Sequence, residues 1–527
     1  MMSPGHRFLR VMRRAALAPV LTIAVAISLA PPREARARAP GDGVTRAAIA
    51  ITEHDYDRAR AELAGLEAVD DEAVRVELAR LSLYEGDCDR AVRLLARSDP
   101  SGLHVAYEGS DVHGRELLDI SRGCARVTAA TVVEKDAAAG VEVRFQDEDD
   151  RAIFPLVVET TVKARAALTR DLGATWPLPT RITFVRDLLS LSAMTGLPYE
   201  AARTTGTVGI AKWGTVTILS PRASHRGYPW RDTLAHELTH LAVTRASLDR
   251  APLWLQEGVA KLEETRWREP SPFDGRPPPD AIVQRGVDLK LDVPLDRLGP
   301  SIAMLPSADA AMVAFAEVTS FVRFLEARSP EGTLQRLLGA LRTMPVEGAL
   351  REVTKLDLGQ WDAEWRGDLS RKPRAVLSPL FGLGSRPPDA RSARDRARLA
   401  ELLLGRGHAS LARRQIDRIT GDVTQDPSLR HLRARILESA SEEVAARAVV
   451  RDPASVVASS GPWWAIRGRL ARSAGDGAEA DPSFTEAAAH DPFSIETSCE
   501  TIAPTGGRSS AMCAAARRWN LADIGRD

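Results

Sequence analysis

His236-Glu237-Leu238-Thr239-His240, with Trp254-Leu255-Gln256-Glu257-Gly258 a short way downstream, is the stretch whose reading decides how the rest of the chain is understood. Residues four apart on a helix lie on one face, one above the other. His236 and His240 can therefore aim both imidazoles at one cation. Glu237 projects about 100° around the helix, where it can reach a water on that cation without binding the cation itself. Asp232 suits a first helical turn, and Leu234, Ala235, Leu238, Leu241 and Ala242 supply an apolar face beside the histidines. Thr239 adds no competing ligand.

Catalytic zinc takes about three protein ligands and keeps a fourth position open. Residues 251–260 read as a second helix with Pro252 in its first turn, where a missing N–H does no harm. Leu253, Trp254, Val259 and Leu262 can pack on the first helix. The connection over residues 243–250 lets the two fold back on each other, so that Glu257 supplies the third ligand. The five-residue pattern alone recurs on many surface helices; the downstream Pro-x-Trp-x-x-Glu-Gly adds the missing carboxylate. Glu263 and Glu264 read as solvated helix carboxylates.

HELTH (236–240) followed by PLWLQEGVAKLEE (252–264) resembles the gluzincin metallopeptidases, specifically the bacterial peptidase-MA-like proteins. Residues 215–221 resemble the strand leading to the active-site helix of that family. Residues 315–325 resemble the helix that follows the ligand segment, and residues 350–369, with Trp361 and Trp365, the end of the domain. The resemblance covers residues 141–369. It implies an α+β zincin-like catalytic domain, a small sheet plus the HExxH helix, that binds Zn2+ through His236, His240 and Glu257. It also implies hydrolysis of peptide bonds with Glu237 as general base. One position departs from the pattern. Relatives often carry a tyrosine near Phe315, and phenylalanine has no hydroxyl to stabilise an oxyanion. Tyr228 and His225, just before the metal helix, are the candidates to replace it, against an ordinary loop role.

Extended substrates add to exposed strand edges. Residues 206–219, with Gly209 and Gly214, read as a hairpin whose outer strand either holds a peptide or is purely structural. Strands are also expected at Val141–Phe145 and residues 181–185, with a helix over residues 153–172 ending near Gly173.

The 527 residues leave room for two to four domains. Charge is balanced, 71 basic against 71 acidic side chains, which gives no footprint for nucleic acid. Residues 1–39 read as a signal peptide or signal anchor: Arg7, Arg10, Arg13 and Arg14 precede the apolar run 15–30. That run is short of the about 20 residues a spanning helix needs. Cleavage could follow Ala30, Ala37 or Ala39. Export, to a periplasmic or extracellular compartment, is the expectation, with membrane attachment only if the segment stays uncleaved. Four cysteines suit an oxidising compartment; Cys88–Cys124 with Cys499–Cys513 is the simplest of three connectivities.

An Asp-x-Asp-Arg-Ala-x-x-x-Leu-Ala pattern occurs twice, in residues 54–64 and 86–96, close to the ~34-residue period of TPR-type hairpins. TPR-like repeats are expected over residues 45–130, before a peptidase domain at 140–370. Pro- and Gly-rich residues 371–391 read as a linker, and residues 392–527 as a second TPR-like helical domain in which His408 and His431 are surface residues. Two functional classes follow. One is an exported zinc peptidase with a polypeptide substrate; the other is a catalytically weak or inactive peptidase-like scaffold whose repeats bind protein partners.

Overall fold

The computed structural model describes residues 42–66, 71–96, 104–107, 110–176, 178–223, 227–271, 274–275, 277–374, 377, 383, 392–452, 457, 459–499 and 508–524. The signal-like segment, His225 and most of the 371–391 linker lie outside them. Pro40–Asp527 packs as one compact unit.

The repeated sequence pattern marks a repeated turn. Helices Asp42–Thr52 and Tyr56–Ala64 form one hairpin, Glu72–Tyr84 and Cys88–Leu95 the next. Between the helices of each pair one residue turns left-handed, His54 in the first and Gly86 in the second. The following aspartate, Asp55 or Asp87, sends its N–H back to the carbonyl five residues earlier, Ala50 or Ser82. That bond closes the first helix as a Schellman motif. The same aspartate caps the second helix by accepting from the N–H of Arg58 or Arg90. The turn recurs at Gly407–His408, Ser441–Glu442 and Gly475–Asp476. The cap positions 408, 442 and 476 are 34 residues apart. Three further hairpins result: Ala393–Gly405 with Ala409–Ile416, Pro427–Ser439 with Glu443–Arg451, and Gly461–Ser473 with Gly477–His490.

The strands are β1 (His104–Tyr107) and β2 (Ser110–His113), a separate ribbon, then β3 (Val132–Asp136), β4 (Val141–Phe145), β5 (Thr180–Val185), β6 (Gly209–Lys212) and β7 (Thr215–Leu219). The last five form one mixed sheet in the order β3-β4-β5-β7-β6. β4, β5 and β7 run parallel, and antiparallel β3 and β6 close the edges. Val141, Val143, Phe145, Ile182, Phe184, Val216 and Ile218 feed the main core. The helices Phe154–Leu172 and Trp230–Ser247 share that core. Val185 and Leu219, at the strand ends, join a second core built by Leu117, Ile120 and Cys124 of helix Gly114–Thr128 and by the second hairpin.

The fold is thus largely helical around one small sheet, and its blocks interlock. Within residues 45–130 the two hairpins give way to the β1–β2 ribbon and the bridged helix Gly114–Thr128. Within residues 392–527, Phe493, Met512 and Ala515 join the main core, as does Leu383 from the expected linker. Both disulfides take the simplest pairing, Cys88–Cys124 and Cys499–Cys513. Among the described residues no helix is long and apolar enough to cross a membrane.

Candidate metal centre

His236 and His240 sit on helix Trp230–Ser247, which buries Trp230, Leu234, Leu238 and Leu241 on the opposite side. Leu248 and Asp249 then turn left-handed. The Asp249 N–H returns to the Thr244 carbonyl while its carboxylate accepts from the Thr244 hydroxyl. This stop reverses the chain into helix Leu253–Glu263, with Pro252 one residue earlier than expected, as its N-cap.

Helix Leu253–Glu263 lies against helix Ala308–Arg328, and Gly258 is the reason it can come so close. A Cβ at position 258 would stand 2.3 Å from Val322 Cγ2 and 2.8 Å from the Val318 carbonyl oxygen. Trp254 packs edge-on to Phe321, which packs edge-on to Trp365. The Trp365 indole N–H donates to Ser320 Oγ at 2.8 Å. These contacts set the rotation of the ligand helix and hence the direction of Glu257.

The three expected ligands converge. His236 Nε2 and His240 Nε2 are 3.2 Å apart, and Glu257 Oε2 is 3.5 Å from each. Donors about 2.0–2.1 Å from a tetrahedral zinc ion stand about 3.3–3.4 Å from one another. The observed triangle matches that edge length. It is the cluster of metal-ligating type among the described residues. The residues therefore fit a zinc ion.

The ring nitrogens turned away from the triangle also have neighbours. His240 Nδ1 faces Gln256 Oε1 at 3.4 Å, the partner that fixes the tautomer with Nε2 free to ligate. His236 Nδ1 is buried without a hydrogen bond, and Glu264 Oε2 faces it at 3.5 Å. Glu264 is held in turn by Lys261 Nζ at 2.7 Å. The reading of Glu263 and Glu264 as solvated carboxylates is therefore corrected. Glu263 is buried and accepts from Arg266 at 2.8 Å; Glu264 is half-buried beside the site. Sequence reasoning passed over Glu264, although its distance of seven residues from Glu257 returns it to the same helix face.

Glu237 is buried between the triad and the edge strand β6. Burial raises its carboxyl pKa, against the pull of His236 and His240 and a hydrogen bond from the Ala211 backbone. A Cβ at Gly209 would stand 2.9 Å from Glu237 Oε1. The glycine thus gives the carboxylate its place against the strand.

β6 and β7 are the hairpin expected over residues 206–219. Its two turn residues, Trp213 and Gly214, both have positive φ, 56° and 68°, the type I′ arrangement that matches strand twist. Trp213 packs on Tyr84 of the second helical hairpin. Arg181 of β5 lies over the Tyr56 ring and donates to the Tyr84 carbonyl. The amino-terminal repeats thereby grip the tip of the strand that borders Glu237.

Burial raises the Tyr228 pKa well above its ordinary value, with the charges of Asp150 and then Glu237 adding to it. Its hydroxyl donates to the Leu219 backbone carbonyl, so its proton is committed there in this arrangement. Phe315 packs at the edge of the main core. Of the other histidines singled out, His408 is exposed, while His431 is half-buried, a correction to its reading as a surface residue. No known family model matches the chain, and no curated protein matches it in sequence.

Proposed function

We propose that the chain is an exported zinc-dependent peptidase of the gluzincin type, with a zincin-like catalytic domain built on the small sheet and the HExxH helix. The observation that carries the reading is the 3.2–3.5 Å triangle of His236, His240 and Glu257 with a separate buried carboxylate, Glu237, beside it. A bound zinc ion would supply Lewis acidity toward the scissile carbonyl and acidify the attacking water. Glu237, with its carboxyl pKa raised by burial, accepts the proton of that water and hands it to the leaving nitrogen. β6 is a sheet edge, so an extended substrate can pair with it and present its carbonyl to the triad. Gln256 and Glu264 orient the two imidazoles.

Phe315 and the engaged hydroxyl of Tyr228 favour the second reading, a peptidase-like scaffold with weak or no turnover. One pair of proteins separates the two. Purified chain should hold about one zinc ion, and Glu237→Gln should keep the metal while losing cleavage of an unfolded, fluorescently labelled polypeptide. Equal behaviour of the two proteins toward that polypeptide rejects the peptidase.

A further inference from the structure

A groove of about 1180 Å³ lies between the loop leading into the HExxH helix and the carboxy-terminal hairpins. Tyr228, two residues before the HExxH helix begins, is part of its lining. Its lining also carries Arg398, Leu402 and Arg406 of the carboxy-terminal hairpins, with Ile495 and Trp519. Small-molecule sites are commonly about 300–1,000 Å³ and mostly enclosed; this space is larger and is the shape of a trough.

Its lining has two properties. Leu402 is 56% exposed, Ile495 45% and Trp519 41%, an unusual density of large apolar side chains left in water. The cations are in excess. Arg398 and Arg406 are exposed and have no ion pair among the described residues. On the acidic side, Glu401 lies 4.0 Å from Arg435, and Glu496 pairs with Arg469 at 2.6 Å. Asp491 is the remaining carboxylate, and burial raises its pKa to about 6. A hollow lined by Arg394, Arg398 and Arg435 adjoins the groove and extends the positive surface.

We propose that this groove binds an extended acidic segment of the polypeptide substrate, with apolar side chains on Leu402, Ile495 and Trp519 and carboxylates on Arg398 and Arg406. The segment tethers the substrate so that a bond farther along its chain reaches the metal triad past Tyr228. The proposal rests on the peptidase reading for its purpose but not for its measurement.

The test uses full-length Glu237→Gln protein and two fluorescein-labelled twelve-residue peptides, one alternating Glu and Leu, the other Lys and Leu. Fluorescence anisotropy should show the Glu peptide bound at least tenfold more tightly than the Lys peptide, and less tightly as salt rises. Arg398→Glu with Arg406→Glu, both exposed positions, should weaken the Glu peptide at least tenfold while circular dichroism and zinc content stay unchanged. Leu402→Ser should weaken it without altering its salt dependence. Equal affinity for the two peptides, no binding of either, or an unchanged affinity in the double variant overturns the proposal. Binding as described by a protein that cleaves nothing sinks the peptidase reading and leaves the groove standing. Normal cleavage with an indifferent groove does the reverse.

Discussion

At position 209 a side chain would displace the carboxylate of Glu237. Gly209→Ala places a methyl group 2.9 Å from the present position of Glu237 Oε1, so the carboxylate must shift. Displacements of this kind cost about 10²-fold in turnover. The expected outcome is protein with a full complement of zinc and about a hundredth of the wild-type rate on the labelled polypeptide. Glu264 makes the complementary case. It faces the His236 nitrogen turned away from the metal site, and loss of such a partner weakens metal binding about 10–100-fold. Titration of Glu264→Ala with a competing chelator should show that weakening. Little of this was legible in the sequence. The HExxH spacing and the Glu257 segment announce the candidate ligands because four-residue spacing on a helix is a local matter. The contact between Gly209 and Glu237 joins an edge strand to a helix, and no periodicity reports it.

Elements reveal a different balance. The repeated turns were half legible. Asp55 and Asp87 are visible as a shared pattern because the cap needs an acceptor there. His408 and Glu442 hold the same cap position with no side-chain cap bond, so the carboxy-terminal hairpins share geometry without sharing letters. Backbone bonds of the Schellman type suffice to make the turn. Helix Ala308–Arg328 extends well beyond the stretch 315–325 that resemblance picks out, and it buries Glu317 completely. Burial raises the Glu317 pKa to about 8, eased by the Val293 N–H and by Arg366. An acid whose folded pKa is raised contributes its stability below the unfolded value of 4.5 and loses it as pH climbs through about 8. Glu317→Gln removes that titration. Its melting temperature relative to wild type should therefore rise steadily from pH 5 to pH 8 and level off above. A difference that stays constant across this range rejects the assignment.

Over the whole molecule, the amino-terminal repeats are fastened to the sheet and the carboxy-terminal segment to the main core. Cys88–Cys124 ties the second hairpin to the helix beneath β5 and β7, across 36 residues. Arg222 pairs with Asp147 and Asp150 and lies 4.8 Å from the Trp519 ring, while Arg518 reaches Asp149. Closing a loop of that length is worth about 3–4 kcal/mol in the chain-entropy account. Replacing Cys88 and Cys124 together by Ser should lower the urea midpoint by a corresponding amount, read as tryptophan fluorescence.

What the sequence determined by itself is the chemistry that depends on near neighbours along the chain. That covers the two histidines and the general-base candidate on one helix, the carboxylate on the next, the principal strands of the sheet, and the capped turn of the first two hairpins. Tertiary structure alone decided which side chains surround that chemistry. Glu264 behind His236, Gly209 against Glu237, Trp213 held by Tyr84, and the groove beside Tyr228 all arise from packing between distant segments. The physical reason is range: helical periodicity and capping act over a few residues, whereas close packing brings together surfaces whose separation in sequence carries no pattern.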